Sequence, residues 1–345
     1  MPIDRNQVSA CLAECKKHFT TELLPFWLDR CKDDKNGGFI THFDKDGNDT
    51  GEDEKSSLSQ LRTVYSMSTT HRAGFGDGRC AEYAKHGVDF LIDKGVAGIV
   101  PCGTTGESAT LSHDAHNKVI DIVVDEAQGR VPVIAGTGSN NTRASVALTE
   151  QAEQAGVDGV MLVTPYYNKP SQEGMYRHFE AIANATTLPV MLYNIPGRSV
   201  VNLSVDTIVR LSLIDNITSV KEASGDLDAA SEIIERTTNF AVYSGDDSLT
   251  LPMLSIGGTG IVSVASHIIG NDMQDMIKMF RTGDTAGAAA LHRQLLPTMK
   301  ALFAAPSPSP VKAALNLMGV PVGGVRLPML ALTAEETATL QQFLP

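Results

Sequence analysis

A lysine inside an apolar run is the most reactive feature of this sequence. Lys221 lies in SVKEA, within a stretch that otherwise has the composition of a buried strand. An ammonium there has to be paired or give up its proton, and a neutral amine attacks carbonyls to form imines. A solvated strand-end lysine beside Glu222 is the other reading of the same residues. Tyr193 ends the preceding apolar run in LYNIPGR. At neighbouring strand ends its phenol is close enough to move protons for an imine, although a buried tyrosine is also ordinary core. GTTGE, Gly103 to Glu107, sets two hydroxyls and several backbone N–H groups between glycines. That arrangement suits a small carboxylate and equally suits a structural turn. GTG at Gly136 to Gly138 reads as a strand-end turn rather than a phosphate loop.

These residues need elements to position them. After residue 78, short apolar runs alternate with helical patterns: GIVPC, VPVIAGT, GVMLVT, VMLYNI, TSVKEA, AVYSG and GIVSV. Near-continuous apolar runs of this length are the signature of parallel strands buried on both faces. Seven strand and helix units, with no GxGxxG followed by an acidic residue, point to an α/β fold of the (β/α)8 TIM-barrel type rather than a doubly wound sheet. In such a barrel the active site lies at the carboxyl ends of the strands, where these polar residues fall. From Asn271 the pattern is helical almost to the end, broken by APSPSP. Those helices are expected outside the barrel, with subunit contact as their work, so a homo-oligomer, dimer or tetramer, is the expected state.

Composition excludes several classes. The formal net charge is 28 − 40 = −12, with no basic stripe to neutralise a phosphate backbone, so neither nucleic acid nor an anionic membrane is an expected partner. The first residues lack the apolar core of a signal peptide, and no stretch approaches the roughly 18 apolar residues of a membrane span. A cytoplasmic protein is expected. Five cysteines (Cys11, Cys15, Cys31, Cys80 and Cys102) stand at scattered spacings without a CxxC pair or histidine cluster. They read as reduced thiols, with no metal and no cofactor.

The series GTTGESATL (103–111), VIAGTG (133–138), VTPYYNKPSQEG (163–174), LYNIPGRS (192–199), VKEASGDL (220–227), YSGDDS (243–248) and GGTGIVSVAS (257–266) resembles the motif order of dihydrodipicolinate synthases, within the pyruvate-dependent aldolase and N-acetylneuraminate lyase superfamily. The resemblance covers about Arg79 to Pro345. It implies that Lys221 forms a Schiff base with pyruvate and that Thr104 and Thr105 receive the pyruvate carboxylate. It also implies a proton relay of Tyr193, Thr104 and Tyr167, the last supplied by a neighbouring subunit. Gly245 and Val262 would line the pyruvate pocket through their backbones. The implied reaction condenses pyruvate with L-aspartate 4-semialdehyde to 4-hydroxy-tetrahydrodipicolinate in lysine biosynthesis. Arg198, in the IP-G-R stretch, would face the carboxylate of the aldehyde, a task suited to a guanidinium fork. The sialic acid lyase pattern lacks this arginine, which places the synthase reading ahead of an N-acetylneuraminate lyase or sugar-acid aldolase. Ser108, Ala109, His113, His116, Asn140 and Tyr166 match the family's lysine feedback site at a subunit interface. There Ala144 replaces the acidic residue that grips the effector's ammonium, so lysine binding is expected to be weak or absent.

The amino terminus reads differently. LLPFW (23–27), NGGFITHFDKDG (36–47) and QLRTVY (60–65) resemble the opening of the N-acylglucosamine and cellobiose 2-epimerase family, a helical barrel of which only the start is present. Arg62 matches a family active-site arginine but lacks its partners. The expected division is therefore an epimerase-like helical fragment at 1–78, a (β/α) barrel at 79–270 and a carboxyl-terminal helical region at 271–345. The slot of the first barrel strand falls on VYSMSTT (64–70), too polar for a buried parallel strand. With Leu58, Leu61, Val64 and Tyr65 at helical spacing, Leu58 to Thr70 is expected to stay helical and leave the barrel open, and an inactive barrel is the third functional reading.

Overall fold

The computed structural model describes residues 88–320 and 322–345, together with Lys17. The epimerase-like stretch, the first-strand slot and the expected helix over Leu58 to Thr70 lie outside the described residues. The chain divides into two compact units, and the larger, Val88–Ala314 with Val325–Pro345, contains every strand discussed here. Within Leu315–Gly324, which belongs to the other unit, Asn316 braces a turn by donating to the Gly323 carbonyl at 3.1 Å and accepting from the Val322 N–H at 3.0 Å.

Among the described residues six strands form one parallel sheet in consecutive order: β1 (Ile134–Gly136), β2 (Gly159–Val163), β3 (Val190–Asn194), β4 (Ile217–Glu222), β5 (Ala241–Ser244) and β6 (Gly260–Ile261). Parallel neighbours in sequence order, each followed by a helix, are the arrangement of a (β/α) barrel. The first apolar run, GIVPC, falls short of the expected strand and makes a single bridge, Ile99 to Val133. Its ladder bonds are nevertheless present, from the Ile99 N–H to the Pro132 carbonyl and from the Ile134 N–H to the Ile99 carbonyl, both at 2.9 Å. Pro101 has no N–H to continue the ladder, and Cys102 turns the chain away at φ +57°.

Side-chain alternation divides the core into two layers. Ala135, Val160, Leu162, Val190, Leu192, Val220 and Val242 face outward against Phe179, Ile182, Ile208 and Leu211 of the surrounding helices. Met161, Met191 and Tyr193 face inward with Ile134, Val163, Tyr243 and Val262. The helices start where the sequence offers caps. Ser112, Asn141, Ser171, Ser204 and Asp226 each accept the backbone N–H three residues on, opening His113–Ala127, Thr142–Gln154, Gln172–Ala183, Val205–Leu211 and Leu227–Arg236.

The first carboxyl-terminal helix runs Ser266–Arg281 and so begins before Asn271, which places the boundary drawn at residue 270 inside a helix kinked at Ile269. A Cβ on Gly270 would approach the Lys94 carbonyl to 2.5 Å, so the glycine is what lets this helix pack closely. Helices Thr285–Ala301 and Ala334–Gln341 follow. Among the described residues no helix is long and apolar enough to cross a membrane.

Candidate active site

Strand register gathers the inward-facing residues into one layer. Val163 pairs with Tyr193, Tyr193 with Lys221, Lys221 with Tyr243, and Tyr243 with Gly260. The two residues singled out for imine chemistry are thus direct neighbours on β3 and β4. The Lys221 Nζ lies 4.1 Å from the centroid of the Tyr193 ring. Burial brings the Lys221 ammonium down from its usual range to about 8, with Asp247 and Asp246 opposing and Arg198 adding to the fall. A substantial fraction of neutral amine therefore exists near neutral pH.

Tyr193 is buried, which raises its phenol above the ordinary value, while a hydrogen bond with the Thr104 side chain and the charge of Arg198 pull the other way. Thr104 reaches this position because GTTGE folds into a tight turn. The Glu107 N–H bonds the Thr104 carbonyl at 3.0 Å, and Glu107 sits at φ +58°. Thr105 occupies the same turn, half-buried. The buried Glu107 carboxylate anchors the turn to the far end of the chain, accepting from Lys312 Nζ at 2.8 Å and from the Arg326 backbone N–H at 2.7 Å. Behind the turn, a Cβ on Gly136 would collide with the Cys102 carbonyl, and one on Gly138 with the Val163 backbone. Close backbone passage accounts for these GTG glycines.

Arg198 is exposed on the short helix Pro196–Ser199 just past β3, close enough for its charge to act on both Tyr193 and Lys221. Gly245 follows β5, and a Cβ on it would come within 2.5 Å of the Ala223 Cβ and 3.1 Å of the Lys221 Cε. Only a glycine leaves the lysine its channel. Val262 follows β6 and packs in the inner layer with Tyr193. Lys221, Tyr193, Thr104, Arg198, Gly245 and Val262 are therefore brought together.

Sequence reasoning passed over the acidic pair after β5. Asp246 and Asp247 both act on the Lys221 charge, and burial raises both carboxyls, opposed at Asp246 by Lys221 and at Asp247 by hydrogen bonds from Ser263, Ala265 and Val264. The available signal was two carboxylates directly behind a strand in YSGDDS. Glu222 was likewise read only as a neighbour. It is buried, accepts from Asn194 Nδ2 at 3.0 Å and the Ser224 N–H at 2.7 Å, and burial raises its pKa despite those bonds. Asn194 in turn bonds the Asn202 side chain at 2.7 Å and the Leu203 N–H at 3.0 Å, so the outward partners of Tyr193 and Lys221 tie down the loops behind them.

Tyr167 does not join its own chain's site. It is 87% exposed at φ +75°, a left-handed conformation that costs a non-glycine residue on the order of 1–3 kcal/mol. The residues of the expected feedback site fall in adjoining segments. Ser108 and Ala109 form the turn after GTTGE, and His113 is exposed at the start of its helix. His116 is buried, its Nε2 bonded to the Gly136 carbonyl at 2.8 Å. Asn140 donates to the Tyr166 carbonyl at 3.1 Å. Ala144 lines a surface depression of about 550 Å3 with Asn141, Thr142, Arg143 and Ala147, and the acidic group is absent from that lining.

The sequence profile of the dihydrodipicolinate synthetase family matches residues 69–345. It begins ten residues before Arg79 (79 − 69 = 10), inside the segment read as foreign. The chain is 62% identical over 255 residues to 4-hydroxy-tetrahydrodipicolinate synthase 1 of Halalkalibacterium halodurans, covering 74% of this chain and 86% of that one. It superimposes on dihydrodipicolinate synthase of Bacillus anthracis with a TM-score of 0.75 at 51% identity, covering 89% of this chain and 95% of that one. The chloride-inhibited dihydrodipicolinate synthase of Acinetobacter baumannii, solved with pyruvate, gives a TM-score of 0.74 at 40% identity over 76% of this chain and 91% of that one. With a profile match over well above half its length and a lysine, tyrosine and threonine gathered at the strand ends, the chain belongs to the dihydrodipicolinate synthetase family.

Proposed function

We propose that this chain condenses pyruvate with L-aspartate 4-semialdehyde to 4-hydroxy-tetrahydrodipicolinate, through an imine on Lys221. The neutral Lys221 amine adds to the pyruvate ketone and the carbonyl oxygen leaves as water. Loss of a methyl proton then gives an enamine, whose carbon attacks the aldehyde. The amino group of the second substrate displaces Lys221 and closes the ring. Tyr193 carries protons to and from the carbonyl oxygens through Thr104, with Tyr167 of the partner subunit completing the relay. The exposure of Tyr167 supports that reading, because it leaves the phenol accessible to a neighbouring chain. Thr104 and Thr105 hold the pyruvate carboxylate, Gly245 and Val262 bound its pocket, and Arg198 receives the carboxylate of the aldehyde.

The observation that carries the proposal is the Lys221 amine, lowered to about 8 and set against Tyr193 in the same layer. Borohydride reduction in the presence of pyruvate tests it, with mass addition expected on the peptide containing Lys221. A coupled assay with both substrates then separates a synthase from a sugar-acid lyase, which would trap pyruvate equally but leave the semialdehyde unconsumed. Measuring oligomeric state alongside tests the partner contribution.

A further inference from the structure

The backbones assigned to the pyruvate pocket, at Gly245 and Val262, directly follow β5 and β6, whose pairing is the shortest between named strands of the described sheet. These strands pair only through Tyr243 with Gly260 and Ser244 with Ile261, and the last ladder bond runs from the Val262 N–H to the Ser244 carbonyl at 2.9 Å. Beyond it the 263–265 segment has no strand to follow. A single carboxylate takes over there. Asp247 is 2% exposed and accepts from the Ser263 hydroxyl, from the Val264 N–H at 3.2 Å and from the Ala265 N–H at 2.9 Å. Its own backbone is pinned by the Thr250 hydroxyl, which donates to its carbonyl at 2.7 Å. Ser263 is held from the other side as well, accepting the Ser266 N–H at 2.8 Å.

We infer that Asp247 is a positioning residue for the pyruvate pocket, a clamp that fixes the distance between Gly245 and Val262 beside Lys221. The inference rests on the pyruvate reading given above. A buried carboxylate is costly unless its lone pairs are matched by donors. Here the donors come from one short segment, the one that follows a pocket-lining residue, so the carboxylate sets geometry rather than filling space. Its charge also acts on the reacting amine, as do those of Asp246 and Arg198, and His267 acts on Asp247 in turn.

The test compares Asp247→Asn and Ser263→Ala with the unaltered chain, after that chain has been shown to trap pyruvate on Lys221. Failure of the trapping itself would remove the functional reading and not the clamp in particular. Asp247→Asn keeps the volume but removes the charge and, with the amide oxygen left toward the Val264 and Ala265 N–H groups, turns the acceptor facing the Ser263 hydroxyl into a donor. The expected result is a rise of about tenfold in KM for pyruvate, with KM for the semialdehyde changed less than about twofold. Ser263→Ala removes one of three donors and should move the same constant in the same direction by less. It decides the matter if Asp247→Asn does not fold. Loss of the Asp247 charge should also shift imine formation to lower pH, an effect that a purely structural residue would not produce. A folded Asp247→Asn with unchanged KM for pyruvate, or with both KM values raised equally, would overturn the inference. Unchanged pyruvate KM in Ser263→Ala would overturn it when the first variant is unfolded.

Discussion

Lys221 and Tyr193 stand opposite each other across the β3–β4 pairing, with the lysine Nζ 4.1 Å from the centre of the phenol ring. The contact brings the amine over the face of the aromatic ring whose hydroxyl is bonded by Thr104. Positive charge over a ring is stabilised, yet desolvation dominates here and the net displacement is downward.

That displacement fixes a pH dependence. A lysine brought down to about 8 is largely protonated at pH 6 and largely neutral at pH 9. Pre-steady-state imine formation with pyruvate should rise about tenfold per pH unit below 8 and level off above it. Lys221→Arg, which keeps the charge but cannot lose its proton, should trap no pyruvate at any pH in this range.

Removing the Tyr193 hydroxyl leaves the ring and its packing in place. Tyr193→Phe should cost on the order of 10²-fold in kcat, with condensation slowed more than imine formation. Single-turnover measurements of the two steps check this, and a wild-type rate in both steps would exclude the relay.

Gly245→Ala places a methyl group against the Ala223 Cβ and the Lys221 Cε. The Ala223 Cβ moves only with its backbone, so the variant should be destabilised, and the pyruvate trapping of its folded fraction should fall at least about tenfold as the lysine is pushed off line. Mass spectrometry after borohydride treatment reads the outcome.

Glu107 links the GTTGE turn to Lys312 and Arg326. Burial raises its pKa, but the Arg326 backbone N–H and the two cations outweigh burial and hold the carboxyl below its ordinary 4.5. A depressed carboxyl contributes stability above its unfolded pKa and loses it as pH falls through the folded value, so this contribution should vanish in the acid range below about 4.5. Glu107→Gln should destabilise by roughly 1–3 kcal/mol at neutral pH, since it removes the charged acceptor of the Lys312 ammonium and the Arg326 backbone N–H. Denaturant midpoints at pH 7 and pH 4 should differ less in the variant than in the parent.

Ala144 gives the opposite kind of test. Its backbone N–H caps into Asn141, leaving room in the first helical turn for an acidic side chain, which a helix N-terminus favours. The parent should show weak inhibition by lysine, and Ala144→Glu should lower the inhibitory concentration at least about tenfold. Tight cooperative inhibition of the parent would refute the expectation.

Much of this was legible in one dimension because parallel strands buried on both faces leave apolar runs too distinct to miss. Six of the seven became strands, and the polar residues that gather at their ends stand out in the sequence. Lys221 announced itself by its charge within a run otherwise composed like a buried strand, Glu222 beside it keeping the solvated reading open, and the GTT turn by its glycines. What the sequence could not decide were the relations that depend on register. The pairing of Tyr193 with Lys221, the reason Gly245 has no side chain, and the reach of Asp247 across to residues 263–265 all arise from where separate strands come to lie. A carboxylate between Gly245 and Ser248 in YSGDDS looks like any acidic turn until the next strand proves too short to hold its own loop. Helix limits show the same division: the boundary drawn at residue 270 falls inside Ser266–Arg281, and only the passage of Lys94 explains the glycine there.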